Sequence, residues 1–119
     1  MLPGLLAWAG EEKPASDKLD LIKQGLGERR VVTFSYHGYE RRAEPHALGR
    51  ANEGKAALLV WQTGGGSSTE PPPGWRVFFV EEISALKLTD QTFKTPRPDY
   101  SAKVKGLKSV EIEVTAASR

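Results

Sequence analysis

VVTFSYHGYERRAEPHAL, residues 31–48, holds two strands and the turn between them. Its first six residues are mostly β-branched or aromatic, which suits a pleated and half-buried surface. With a period of two, Val32, Phe34 and Tyr36 share one face. His37-Gly38 is the expected turn. After it Tyr39, Arg41, Ala43 and Pro45 alternate against Glu40, Arg42, Glu44 and His46, so the adjacent arginines point to opposite sides of the strand. Pro45 has no N–H to give to a ladder, and this places it near an edge or a strand end.

Downstream, residues 49–55 form a polar connection, and AALLVWQT (residues 56–63) is the strongest core strand. Its near-continuous apolar run is what a strand covered on both sides requires. Residues 63–74, TGGGSSTEPPPG, combine four glycines with three prolines and are expected to be a flexible loop. WRVFFV and ISALKL follow as two strands separated by Glu81-Glu82. Upstream, Leu19, Ile22 and Leu26 recur at helical spacing between a candidate N-cap at Ser16 and a stop at Gly27, with Asp17 and Asp20 suited to the positive helix end. Five strands after one helix close most economically as a small β-barrel. Beyond Phe93 a basic, proline-containing connector leads to Val110, Ile112 and Val114, which alternate with Glu111 and Glu113 as a sixth strand. That strand has two candidate partners: the barrel's own edge or a second copy of the chain. The expected organisation is an N-terminal segment (1–15), a barrel domain with a leading helix (16–93) and a basic connector with a C-terminal strand (94–119).

A chain of 119 residues suits one core. It has no cysteine, which excludes disulfides, thiol nucleophiles and thiolate metal sites and is compatible with a reducing, cytoplasmic setting. The start, MLPGLLAWAG, lacks the basic leader and long apolar run of a signal peptide, and nothing approaches the ~20 apolar residues of a membrane helix. The net charge of +2 says little about partners, but the local balance says more. Between Lys94 and Lys108, the five cations Lys94, Arg97, Lys103, Lys105 and Lys108 face Asp99 alone, a candidate electrostatic strip for nucleic acid.

The order of a helix, then Phe34-Ser35-Tyr36, then Arg41 four residues before Pro45, then Leu48, resembles the opening half of a WYL domain. The strand through Leu58-Leu59-Val60, the aromatic strand through Phe78, and Ile83 leading to Leu86, Leu88 and Phe93 resemble its closing half. The resemblance implies an Sm-like five-stranded barrel of the kind found in bacterial regulators that sense nucleic acids or nucleotide-like ligands. The chain departs from the pattern at two places: the eponymous Trp-Tyr-Leu falls on Ala57-Leu58-Leu59, and a usual arginine before the isoleucine falls on Glu82. With no room before Ser16 for a helix-turn-helix, direct transcriptional control would need a regulatory partner chain.

Arg41, Arg42 and Arg76 are the candidate anion contacts, because a guanidinium fork matches phosphate or carboxylate. Tyr39 and Trp75 are candidate stacking surfaces for a base. The competing reading of the arginines is a solvated cation or a pair with Glu40 or Glu44, and for Tyr36 and Trp61 it is core packing. Two histidines without cysteines leave little for a metal, and no cofactor motif is present. The glycine run at 64–66 lacks the lysine and hydroxyl of a phosphate loop. No nucleophile, base and orienting group can be assembled, so the sequence points away from an enzyme. It points toward a module binding single-stranded nucleic acid or a nucleotide-like anion. The alternative is a protein-interaction module with a lost ligand site, a homodimer through its C-terminal strand.

Overall fold

The computed structural model describes residues 15–67, 71–94, 97, 99–101 and 105–114. Most of the N-terminal segment, Lys103 of the basic strip and the last five residues lie outside them. Among the described residues one helix, α1 (Ala15–Glu28), precedes six antiparallel strands: β1 (Arg30–Tyr36), β2 (Tyr39–Arg50), β3 (Ala56–Gly65), β4 (Gly74–Phe79), β5 (Ser84–Thr92) and β6 (Ser109–Glu113). The helix starts one residue before Ser16 and runs one past Gly27.

The first five strands form one sheet in the order β4-β3-β2-β1-β5. The fold is mainly β with a leading helix, but the expected five-stranded barrel is not closed: no pairing joins β4 to β5 among the described residues. The link between them explains this. Val80–Glu82 is a single 3-10 turn with extended backbone on either side, so β4 and β5 diverge where a hairpin would have folded them together. The helix stands at that divergence, where Lys18 Nζ donates to the Val80 carbonyl at 2.8 Å.

Both sides of the sheet are covered, as the apolar run of β3 requires. On one face Ile22 and Leu26 of α1 pack with Val32, Phe34, Leu58, Val60 and Phe78. On the other, Ala47, Ala57, Leu59 and Leu107 form a second cluster under Trp75, Val77 and Tyr100. We call these the helix face and the connector face, since Tyr100 and Leu107 pack on the second. β3 extends to Gly65, two residues past the expected strand end at Thr63, and pairs there with Arg41.

The sixth strand pairs within the chain. β2 has twelve residues against seven in β1, so β1 covers only its first part and β6 takes the same edge further on, with Ala47 opposite Glu113 and Arg50 opposite Ser109. Gly49 permits the approach, since a Cβ there would lie 1.9 Å from the Ser109 carbonyl oxygen. The apolar residues of β6 do not share one face, contrary to the alternation. Leu48 faces Ile112 while Gly49 faces Val110, which leaves Glu111 as a bulge. The extra residue sends Val110 to the connector-face cluster and Ile112, with the buried Val114, to the helix-face core.

Candidate functional site

At one end of the helix face the apolar core gives way to polar groups. The register sets Tyr36 opposite Tyr39, Phe34 opposite Arg41, Ala43 opposite Gln62 and Val60 opposite Arg76, so all these side chains belong to one face. Arg41 is only 5% exposed. Its Nη2 donates to the Tyr36 carbonyl at 3.0 Å and its Nη1 to Gln62 Oε1 at 3.5 Å, while its buried Nε has no acceptor. The guanidinium lies 5.3 Å from the Tyr39 ring centre and 5.2 Å from that of Phe78, within cation–π range. No carboxylate pairs with it among the described residues. Burial pushes its pKa below the ordinary arginine value, and the neighbouring positive charge of Arg76 pushes it further the same way. Two guanidinium groups are therefore gathered at one place beside aromatic rings.

The surrounding frame includes residues that the sequence patterns did not single out. Gln62 is fully buried, accepts from Arg41, and donates through Nε2 to the carbonyls of Gly64 at 2.8 Å and Gly66 at 3.1 Å. The glycine run is part of this frame. Gly65 has φ +90, and a Cβ there would meet the Glu40 carbonyl oxygen at 2.1 Å. The strand end can curl beneath Arg41 and Tyr39 only because that position is glycine. The Tyr36 hydroxyl accepts from the Phe79 N–H at 3.0 Å, and burial raises its pKa, so it stays protonated at neutral pH. A buried polar glutamine at the end of LLVWQ is the one signal that could have marked this frame.

The other candidates lie elsewhere. Arg42 is on the opposite side of β2, where its Nη2 donates to Gln91. Trp75 is on the connector face, edge-on to Trp61 at 5.3 Å and to His46 at 4.9 Å, with its Nε1 donating to Asp99 at 3.0 Å. Two cations of the basic strip are engaged on that face as well. Arg97 makes a two-pronged pair with Glu44, at 3.0 and 2.9 Å, and covers the Trp61 ring. Lys105 lies 3.7 Å from Asp99 and over the Trp75 ring. Lys94 and Lys108 are exposed. Among the described residues no group of three or more His, Asp or Glu gathers, and no helix is long and apolar enough to cross a membrane.

A helix leading into an open six-stranded antiparallel sheet, with paired arginines at one end of its covered face, defines the class. Among solved structures the chain is similar to proteasome accessory factor B/C (PafBC) of Arthrobacter aurescens, at 22% identity and a TM-score of 0.63. The match covers 79% of this chain and 15% of that one, so the likeness concerns the fold of one small part of a longer protein. That fold agrees with the WYL-related architecture that the sequence resembles. No known family profile and no curated protein matches the chain.

Proposed function

We propose that this chain is a non-catalytic accessory module that binds single-stranded nucleic acid or a nucleotide-like anion between Arg41 and Arg76, with Tyr39 as a stacking surface. One observation carries the reading: Arg41 is buried beside a second guanidinium, without a carboxylate partner among the described residues and with an Nε lacking an acceptor. A buried guanidinium beside a like charge is costly, and an anion next to Arg41 relieves that cost while supplying the missing acceptor to its Nε. Tyr39, the one large apolar side chain exposed among the described residues, already holds its ring against Arg41 and offers its outer surface to a base. The likeness to a proteasome accessory factor adds a regulatory setting to this proposal.

The test is fluorescence anisotropy with a labelled single-stranded thymidine oligomer, competed by a nucleoside monophosphate. Arg41→Gln and Arg76→Gln should each weaken binding by about tenfold or more, as loss of a charge-assisted hydrogen bond does. Arg42→Gln on the opposite face should stay within about twofold of the parent. Equal losses for Arg42→Gln and Arg41→Gln, or no binding of either probe at low salt, would overturn the assignment.

A further inference from the structure

β5 is the last strand of its sheet, and among the described residues no backbone group pairs with its outer edge. Beside that edge runs a cleft of about 580 Å³, bounded on the far side by Lys18 and Leu21 of α1. Residues 83–87 line it consecutively. A strand sends alternate side chains to opposite faces, so four consecutive lining residues of β5, with Ile83 just before them, mean that β5 presents its edge, backbone included, to the cleft. Ala85, with φ +53, is a bulge in the β1–β5 ladder that turns this stretch out of the regular pairing. The groove thus has a free strand edge on one side, a helix on the other and apolar contacts from Leu21, Ile83 and Leu86.

We propose that this groove binds an extended acidic peptide, which adds to β5 as a further strand. Main-chain hydrogen bonds to an exposed edge supply affinity in such an arrangement, and pockets for alternate side chains supply selectivity. The charges select the partner. Glu81, the single acid of the lining, has its carboxylate 3.7 Å from Lys55. Lys18 holds its ammonium at the groove end on the Val80 carbonyl, and Lys87 makes no ion pair among the described residues. Two lysines thus face the incoming strand. A second copy of the same edge would set these lysines against each other, and like charges across paired strands are destabilising. This site shares no residue with the arginine site and stands or falls separately from it.

The probe is a fluorescein-labelled octapeptide of alternating valine and glutamate, titrated against the full chain by anisotropy. Two further versions carry backbone N-methyl groups at the odd or at the even positions, so that one of them loses the hydrogen bonds to β5. The parent peptide should bind and protect amides in residues 84–87 from hydrogen exchange, and one methylated version should bind about tenfold more weakly. Lys87→Glu, an exposed change, should weaken the glutamate peptide similarly and favour a valine-lysine peptide in its place. Equal binding of both methylated versions, protection confined to other strands, or no binding at about 1 mM peptide would overturn the proposal.

Discussion

Arg41 is a cation held where a cation is costly. Its position on β2 follows from the turn at His37-Gly38, which sets Tyr36 against Tyr39 and leaves every second residue pointing into the helix face. At the next inward position, Ala43, the site has become apolar core. The two hydrogen bonds and the ring contacts of Arg41 offset part of its desolvation, but no negative charge among the described residues offsets the rest. Replacing a buried charge by an apolar side chain of similar volume is often neutral or stabilising. Arg41→Met should therefore unfold in urea within about 1 kcal/mol of the parent, or above it, while losing affinity for the oligonucleotide. A stability loss above about 3 kcal/mol would assign the guanidinium to holding the fold together.

Among the elements, alternation separated Arg41 from Arg42, because period two is a direct consequence of the pleat, and the unbroken apolar run of β3 foresaw its cover on both sides. It failed where one strand carries an extra residue. Thr63 opposite the step from Arg42 to Ala43, His46 after Pro45, and Glu111 in β6 are such residues, and none is a glycine that would announce itself. Each shifts the face of everything beyond it, which is why Val110 and Ile112 part company and why His46 and Ala47 both face the connector. The role of Arg97 and Tyr100 was equally hidden, since it depends on contacts across more than fifty positions. His46 is fully buried and within 5.4 Å of the Phe93 and Tyr100 ring centres. Its Nδ1 donates to the Glu44 carbonyl at 2.9 Å, and its Nε2 accepts the Arg97 N–H at 3.0 Å, so the ring is neutral. Burial lowers its pKa, with Arg97 acting in the same direction and Glu44 and Asp99 against it. The unfolded chain thus takes up this proton first. Stability is fully present above the ordinary value of about 6.5 and is lost as pH falls from there toward the depressed folded value. Urea unfolding at pH 7.5 and pH 5.5 should show that loss in the parent, and His46→Gln should lack its share. An unchanged pH dependence in the variant would mean that the connector is not held through this ring.

For the whole molecule the question is which cations a nucleic acid would meet. The excess of five basic residues between Lys94 and Lys108 suggests a broad strip, yet Arg97 and Lys105 are tied to Glu44 and Asp99 on the connector face. Arg41 and Arg76 belong to the other face of the same sheet, so a strand lying across the arginine pair does not also lie on Arg97 and Lys105. Counterion release turns this geometry into a number. For single strands the slope of log K against log salt is about −0.7 per phosphate neutralised. Contact with two arginines corresponds to a slope of about −1.4, and engagement of the five basic-strip residues as well would steepen it to about −5. Anisotropy titrations over a series of salt concentrations should give the shallow slope. Arg76→Gln should then flatten it by about 0.7, and Lys108→Gln should leave it unchanged. A steep slope that falls on mutating Lys94 or Lys108 would move the nucleic-acid site to the connector and leave the paired arginines to a small anion.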